Sequence, residues 1–323
     1  MTQVLLPAPA YERVADRLVS LPHQIQPLLW SSDGIVDNDG QPVDHPTPGA
    51  AWMSIDAFFT GEMAVLAQAV VDFGSVSWVQ APLAGIDAPP FQQVINAGIR
   101  FSNSDAPNIG VAEYVMSALL AHRHGIAHRI EHQRERHWEQ APWPEIGGQR
   151  WVIVGFGSIG HEIAQRARPF GVEIVGIRRT AVDDPAADKM ATMGQLPAEL
   201  AEADVVILAC PLTEQTRGLV NADFLAAMRP DAVLVNVARG GVVNDDALLA
   251  ALDHGTIGSA ILDVFDPEPL PESSPFWTHE NVTVTSHIAG AGAGFLARND
   301  QLFIDQLDDY LSGRPLRLEV VSA

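Results

Sequence analysis

Three charged residues in the last third of the chain have side chains that suit a single reaction. Arg239 ends the run VLVNVAR, Glu268 lies in LDVFDPEPLP, and His287 lies in SHIAG. A guanidinium group can bind a carboxylate and polarise the carbonyl beside it, with a forked geometry that lysine lacks. An imidazole beside a carboxylate, which stabilises the protonated ring, can protonate an alkoxide as it forms. Together these residues favour hydride transfer to or from C2 of a small 2-oxo or 2-hydroxy acid.

A glycine-rich segment, GFGSIG, supplies the expected partner for that chemistry. Gly155 permits a tight turn, Gly157 lets the backbone approach a pyrophosphate, and Gly160 allows close contact between helix and strand. Ser158 and Ile159 open the predicted helix, whose first N–H groups are available to phosphates. A strand before the turn and a helix after it are the context that a dinucleotide site requires. The segment predicts a nicotinamide cofactor.

The residues after the second strand indicate which nicotinamide cofactor is used. NAD-binding domains place an acidic residue there for the ribose hydroxyls, but this chain has Arg178, Arg179 and Thr180, with no acid before Asp183. Guanidinium groups bind a 2′-phosphate that a carboxylate would repel. We therefore expect NADP(H) to be preferred, while NAD(H) stays possible if the two arginines are only solvated surface residues.

Alternating strands and helices would position these residues. The second half reads as six strands separated by helices, which predicts a doubly wound parallel sheet with ligands at the carboxyl ends of its strands. The strands are predicted at 151–154, 173–177, 205–209, 232–237, 259–264 and 282–285. The helices between them are predicted at 161–170, 221–228 and 246–254.

The first half shows a shorter βαβ series. Strands are predicted at 4–6, 52–59 and 78–81, helices at 11–21 and 61–73, and a loop over 32–48, which is rich in Asp, Gly and Pro. An apolar helix at 111–121 precedes a stretch rich in His and Arg, 122–138, and we expect this helix to be a hinge, an interface or both.

Length and composition exclude several classes of protein. A chain of 323 residues is expected to form about two domains. A net charge of −21 disfavours nucleic-acid binding, and no apolar run approaches the length of a membrane span. The single cysteine, Cys210, cannot form an internal disulfide, and the N-terminus does not resemble a secretory signal. We expect a cytoplasmic protein, and no metal ion.

The segments GFGSIG, ARGGVVN, LDVFDPEPLP and SHIAG, in this order, resemble the signatures of the D-isomer-specific 2-hydroxyacid dehydrogenase family, including its glyoxylate/hydroxypyruvate reductase members. The resemblance runs nearly unbroken over residues 111–290 and is weaker before them. It implies an α/β protein of two Rossmann-like lobes, in which a doubly wound cofactor domain (107–287) is inserted into a smaller flavodoxin-like substrate domain (1–106 and 288–323). It also implies a homodimer.

The resemblance also implies roles for individual residues. Arg239 would bind the substrate, His287 would be the acid/base, and Glu268 would be its partner. Backbone N–H groups at Leu83, Ala84 and Gly85 would bind the substrate carboxylate. The remaining positions implied to lie near the cofactor are Cys210, Pro211, Val237, Ala238, Asp263 and Ala289. For Cys210, a role as a small buried residue is favoured over any redox role.

Two positions depart from the family pattern, and other functions stay open. Ser286 stands where the family usually has proline, and Leu83 is bulkier than usual, which leaves the size of the substrate undetermined. Glu268 argues against the formate dehydrogenases, which carry glutamine there, whereas a phosphite dehydrogenase and a nucleotide-sensing corepressor remain alternatives. Trp138 could reach a partner subunit's site or simply be a surface or core residue.

Overall fold

A computed structural model describes residues 1–320 of the chain. They divide into two compact units. One comprises Met1–Pro107 together with the chain from Ala293 onward, and the other, Asn108–Gly292, is inserted into it. Each unit is built around its own sheet, so the structure has two α/β lobes. No helix within the described residues is long and apolar enough to cross a membrane.

The first unit contains a six-stranded sheet in the order β3-β2-β1-β4-β5-β6. All neighbouring strands are parallel except β2 and β3, which form an antiparallel hairpin at one edge. Without that hairpin strand the order is the flavodoxin-like one. The strands are β1 (Thr2–Pro7), β2 (Ile25–Ser31), β3 (Gly34–Val36), β4 (Ala50–Trp52), β5 (Trp78–Gln80) and β6 (Arg100–Ser102). The helices between them are α1 (Ala8–Ser20), α2 (Ile55–Phe59), α3 (Met63–Phe73) and α4 (Pro89–Asn96).

The sequence prediction for this unit is wrong at one strand and incomplete at others. The strand predicted at 52–59 ends at Trp52, and Ile55–Phe59 forms α2 instead. Ser54 precedes this helix and Asp56 lies in its first turn, whereas a short apolar run does not by itself distinguish a strand from a helix. No element was predicted at β2, α4 or β6, and the predicted loop at 32–48 includes β3.

The second unit contains a seven-stranded parallel sheet in the order β13-β12-β11-β10-β7-β8-β9. The strands are β7 (Arg150–Val154), β8 (Glu173–Arg178), β9 (Lys189–Thr192), β10 (Val205–Leu208), β11 (Val233–Asn236), β12 (Ser259–Leu262) and β13 (Val282–Val284). Its helices are α5 (Asn108–Arg123), α6 (Ile126–Glu135), α7 (Ser158–Ala167), α8 (Leu196–Leu200), α9 (Ala222–Ala226) and α10 (Asp245–Asp253). The chain then returns to the first unit as α11 (Phe295–Leu311).

Both faces of this second sheet are covered by apolar side chains. Successive residues of β7 alternate between two hydrophobic clusters, Trp151 and Ile153 in one and Val152 and Val154 in the other. A strand buried on both faces reads as a continuous apolar run, which is why the sequence locates β7, β8, β10, β11 and β12. The prediction of six strands is one short, since β9, which begins at Lys189, lacks such a run.

The first unit also packs helices on two faces of its sheet. The cluster that contains Trp52, Trp78 and residues of α1 also includes Phe303 of α11. The Trp52 and Phe303 rings are stacked with centroids 4.2 Å apart. The last helix therefore completes the core of the unit in which the chain begins.

Candidate active site

One edge of the second sheet carries most of the predicted functional residues. Because the seven strands are parallel, their carboxyl ends meet at the same edge. In spatial order this edge presents Arg178 after β8, the glycine turn after β7, Cys210 after β10, Arg239 after β11, Glu268 after β12 and His287 after β13. Residues that are more than 100 positions apart in sequence therefore follow one another along a single edge, with neighbouring strands about 4.8 Å apart.

The glycine turn after β7 has the shape that a dinucleotide site needs. Gly155 has a φ of +93°, and an ideal Cβ there would lie 2.5 Å from the Cα of Cys210. A Cβ on Gly160 would contact the Gly155 carbonyl and the Ile153 side chain at 3.2 Å, which is the close helix–strand packing expected of it. At Gly157 a Cβ would meet nothing within 4 Å. The open space is therefore at the glycine where a pyrophosphate would approach, beside the N-terminus of α7.

Arg178 at the end of β8 is held by neighbouring groups of its own unit. Its Nε donates to the Phe156 carbonyl, its guanidinium carbon lies 5.5 Å from the centre of the Phe156 ring, and NH2 donates to Asp184 Oδ2 at 3.1 Å. Burial raises the pKa of Asp184, but the Ala186 N–H and the charges of His161 and Arg178 outweigh it, so the pKa lies below its ordinary value. An acidic group therefore lies beside Arg178 after all, six residues along the chain, whereas Arg179 and Thr180 are exposed.

The turn that carries Arg239 is shaped by a buried asparagine. Asn236, the last residue of β11, accepts a hydrogen bond from the Ala238 N–H and donates one to the Arg239 carbonyl, both at 3.0 Å. Val237 and Ala238 are buried, and the Arg239 side chain is half-buried, with NH1 donating to the Ala238 carbonyl at 2.7 Å. No motif in the sequence pointed to Asn236.

Gly240 brings the Arg239 turn against the segment that carries Glu268. An ideal Cβ on Gly240 would lie 1.9 Å from the carbonyl carbon of Phe265, so no larger residue fits this position while the backbone stays in place. Phe265 in turn donates its N–H to Glu268 Oε1 at 3.0 Å. The Arg239 turn and the glutamate segment are thus in direct contact through main-chain atoms.

His287 and Glu268 form a hydrogen-bonded pair. His287 Nδ1 lies 2.8 Å from Glu268 Oε2, and both side chains are exposed to solvent. Each carboxylate oxygen of Glu268 therefore has a partner, Phe265 N–H for one and the imidazole for the other. His287 itself has a φ of +53°, an unusual conformation for a residue with a side chain.

Asp263 holds the loop on which His287 lies. Its side chain is buried, and its carboxylate accepts hydrogen bonds from Thr285 Oγ1 at 2.6 Å, Ile288 N–H at 3.0 Å and Ala289 N–H at 2.9 Å. The Asp263 carbonyl accepts from the His287 N–H at 2.7 Å. The resemblance implies a position near the cofactor for this residue, and the structure adds three hydrogen bonds from the histidine loop to its carboxylate. Its role in fixing the histidine loop was missed, because backbone partners leave no signal in sequence.

The remaining predicted cofactor residues lie at the same edge. Cys210 is buried beside Gly155, and burial raises the pKa of its thiol to about 11. Pro211 is exposed, and its carbonyl accepts a hydrogen bond from Thr216 Oγ1 at 2.6 Å. Ala289 is buried next to the histidine loop. A thiol with so high a pKa is protonated at neutral pH, which agrees with a packing role.

The predicted carboxylate loop lies in the first unit. The Leu83 carbonyl accepts from the Ser104 N–H at 3.0 Å, and the Ala84 carbonyl accepts from Asn103 Nδ2 at 2.8 Å. These carbonyl oxygens are bound within the unit, and Leu83, Ala84 and Gly85 are only partly exposed. Trp138, in the second unit, is 87% exposed and so is not a core residue.

Known proteins share both the sequence and the fold. Residues 116–289, more than half of the chain, match the model of the D-isomer specific 2-hydroxyacid dehydrogenase NAD binding domain. The chain is 30% identical over 260 residues to glyoxylate/hydroxypyruvate reductase A of Arabidopsis thaliana, covering 79% of this chain and 82% of that protein. It is 34% identical over 220 residues to the human glyoxylate reductase/hydroxypyruvate reductase, covering 64% of this chain and 65% of that protein.

A solved structure extends the match to nearly the whole chain. It is the D-isomer specific 2-hydroxyacid dehydrogenase of Xanthobacter autotrophicus Py2 in complex with NADPH and MES. The two share 25% identity and a TM-score of 0.79, over 99% of this chain and 98% of that one. With the glycine turn and the His–Glu pair at one sheet edge, these matches show that the chain belongs to the D-isomer specific 2-hydroxyacid dehydrogenase family.

Proposed function

We propose that this protein is an NAD(P)-dependent D-2-hydroxyacid dehydrogenase that acts as a reductase of small 2-oxo acids. The observation that carries the proposal is the 2.8 Å bond between His287 Nδ1 and Glu268 Oε2, at the sheet edge that also bears the glycine turn and Arg239. Relatives named as glyoxylate/hydroxypyruvate reductases support this class of substrate. A neighbouring structure that contains NADPH supports the cofactor class.

The residues present fit a nicotinamide dinucleotide. When bound, the cofactor supplies or accepts the hydride at C2 of the substrate. The open space at Gly157 and the first N–H groups of α7, from Ser158, Ile159 and Gly160, would bind the pyrophosphate. We assign the cofactor domain to Asn108–Gly292 and the substrate domain to the other unit.

Arg239 and His287 would have separate roles in the reaction, anion binding for Arg239 and proton transfer for His287. The Arg239 guanidinium would bind the substrate carboxylate and carbonyl, and its charge would stabilise the negative charge that develops on the carbonyl oxygen. His287 would protonate that oxygen from Nε2, because Nδ1 is already bonded to Glu268. The Glu268 carboxylate binds Nδ1 and so fixes the orientation of the ring. The backbone N–H groups of Leu83, Ala84 and Gly85 would bind the carboxylate as well.

We further propose a preference for NADP(H) over NAD(H). Arg179 and Thr180 are exposed after β8, and Arg178 lies beside them. The Asp184 carboxylate opposes this preference, because it competes with a 2′-phosphate for Arg178. The preference is therefore expected to depend more on Arg179 than on Arg178, and replacing each arginine separately by alanine would measure the two contributions.

The test is the initial rate of NADPH and NADH oxidation with glyoxylate, hydroxypyruvate, pyruvate and bulkier 2-oxo acids. His287→Ala should lose most turnover and keep its affinity for the cofactor, whereas His254→Ala, an exposed histidine on another element, should behave as the parent. Glu268→Gln should lower kcat, because a neutral amide oxygen holds the imidazole less strongly than a carboxylate does. Turnover that His287→Ala leaves unchanged would refute the assignment. Cofactor binding without turnover on any acid would favour a nucleotide sensor.

The family resemblance and the composition support further proposals about oligomeric state, compartment and partners. We propose a homodimer, which light scattering on the purified chain would test. The absence of a predicted disulfide and the acidic composition favour the cytoplasm and disfavour nucleic acid as a partner. Localisation of a tagged full-length chain would test the compartment.

A further inference from the structure

We propose that His128, His132 and Glu139 form a binding site for a divalent transition-metal ion, with Zn²⁺ as the best-matched ion. The ligand atoms of the three side chains all lie within 4.8 Å of one another. Glu139 Oε2 is 3.4 Å from His132 Nδ1 and 3.8 Å from His128 Nε2. These three residues, called the arm cluster below, lie on α6 and the segment after it, outside the sheet edge that carries Arg239, Glu268 and His287.

The separations in the arm cluster match a metal better than they match hydrogen bonds. A direct N–H···O bond has a donor–acceptor distance of about 2.9 Å, and both separations in the cluster are longer. Two ligands of a tetrahedral Zn²⁺, each about 2.1 Å from the ion, lie roughly 3.4 Å from each other. An ion placed between the three atoms would therefore need only small side-chain movements. The cluster has the geometry of an open three-ligand site.

The types of ligand select the class of ion. Imidazole nitrogens suit Zn²⁺, Ni²⁺ and Cu²⁺, whereas Mg²⁺ and Ca²⁺ prefer oxygen ligands. Two neutral imidazoles and one carboxylate give a ligand set with a charge of −1, which a divalent cation more than balances. Water would complete the coordination, because His128 is exposed and a cavity of about 380 Å³ lies beside His132 and Glu139.

The backbone holds the three ligands in this arrangement. His128 and His132 are four residues apart on α6, so they lie on the same face of the helix. The helix ends at Glu135, and the next residue, Arg136, has a φ of +59° that turns the chain back. The His137 N–H then donates to the His132 carbonyl at 2.9 Å. This reversal is what brings Glu139 to the two histidines.

Contacts on either side of the turn fix the segment that carries Glu139. Arg129 on α6 donates to the His124 carbonyl at 2.8 Å and to the Ala141 carbonyl at 3.2 Å, which ties the helix to the returning chain. The rings of His124 and Trp143 are stacked with centroids 3.8 Å apart. The Arg129 charge opposes cation binding, but its hydrogen bonds position the ligands. The arrangement is thus largely formed before any ion binds.

No metal ion was expected from the sequence. A pair of histidines at i and i+4 is common on exposed helices, and a carboxylate seven residues further along becomes a ligand only through the turn at Arg136. Glu139 can therefore be recognised as the third ligand only from the structure.

The test uses the full chain after treatment with a chelator and dialysis. Zn²⁺ is titrated against a chromophoric competitor, with Mg²⁺ as the hard-cation comparison, and one saturable Zn²⁺ site per chain is expected. His132→Ala and Glu139→Gln should each weaken binding by roughly 100-fold or more, since even residues that only support a ligand contribute 10–100-fold. His254→Ala, an exposed histidine outside the arm cluster, should bind Zn²⁺ as the parent does.

Hydrogen exchange locates the bound ion. Zn²⁺ should slow amide exchange within residues 126–139 of the parent and leave that segment of Glu139→Gln unchanged. Three results would each overturn the proposal: no saturable Zn²⁺ site, equal affinity in Glu139→Gln and the parent, or protection confined to another part of the chain. None of these measurements uses turnover, so their outcome does not depend on whether the proposed reductase activity is correct.

Discussion

Replacing Asp263 by asparagine tests whether the buried carboxylate fixes the loop that carries His287. The carboxylate accepts from Thr285 Oγ1, Ile288 N–H and Ala289 N–H. Asparagine has nearly the same shape but only one acceptor oxygen. In either orientation of the amide, its NH₂ group faces one of the two main-chain N–H groups, and that donor is left without a partner.

The free energy by which Asp263→Asn destabilises the closed loop can be worked out from these three hydrogen bonds. An unsatisfied buried N–H costs about 1–3 kcal/mol, and each remaining bond weakens by about 1 kcal/mol when its acceptor loses the charge. The sum is about 3–5 kcal/mol, and its lower end, about 3 kcal/mol, corresponds to roughly a 150-fold increase in the population of the open loop, at 1.36 kcal/mol per factor of ten. We expect amide exchange at Ile288 and Ala289 to accelerate by about that factor, and kcat to fall because the His287 side chain is no longer held.

The measurement is residue-resolved hydrogen exchange without cofactor, combined with steady-state reduction. Thr285→Val is the matched control: it removes one side-chain donor, leaves both main-chain bonds, and should cost about 1 kcal/mol. Unchanged exchange at Ile288 and Ala289 in Asp263→Asn would refute the anchoring role. If cofactor affinity fell in that case, the cofactor contact implied by the sequence would explain the residue instead.

Three further predictions follow from the packing and the pKa values. Gly240→Ala should destabilise the protein by about 3 kcal/mol or more and abolish turnover, because its Cβ would lie 1.9 Å from the Phe265 carbonyl carbon; Gly157→Ala, with open space around it, should keep the melting temperature and lose cofactor affinity. Burial, and then two nearby carboxylates, raise the pKa of Asp245 from 3.8 to about 6, so folding stability falls as the pH rises from about 4 through 6. Asp245→Asn should therefore stabilise the protein by about 1–2 kcal/mol at pH 7.5, allowing for solvent screening, and by almost nothing at pH 4, measured by denaturant unfolding. Cys210, with a pKa of about 11, should react with a thiol reagent at pH 8 at least 100-fold faster after unfolding than before.

The sequence predicted the second unit better than the first for a physical reason. Strands buried on both faces, such as β7 and β10, are continuous apolar runs with recognisable ends. In the first unit β3, β4, β5 and β6 are only 3 residues long. Ile55–Phe59 is also apolar enough to be read as a strand, although it is a helix. Pro27 within β2 also conceals a strand, because proline is rare in strand interiors.

The polar side chains proposed for the site can be picked out from the sequence, whereas the groups that position them cannot. Arg239, Glu268 and His287 can be singled out because few types of side chain bind anions or transfer protons. The groups that position them act mainly through backbone atoms: Asn236 through the Arg239 carbonyl, and Gly240 through its lack of a side chain. Neither has a spacing rule in sequence.

The support for His287 shows why such residues must be read from the structure. Tyr114 on α5 bonds Thr285 at 2.7 Å, Thr285 bonds Asp263, and Asp263 bonds the two N–H groups that follow His287. This chain of contacts spans more than 170 positions of sequence and includes no group that we expect to touch a substrate. Tyr114→Phe removes its first bond and leaves Asp263 intact. If these hydrogen bonds act together to hold the histidine loop, Tyr114→Phe should accelerate amide exchange at Ala289 by less than Thr285→Val does. An acceleration as large as that of Asp263→Asn would show that the Asp263 carboxylate is not the main group that holds the loop.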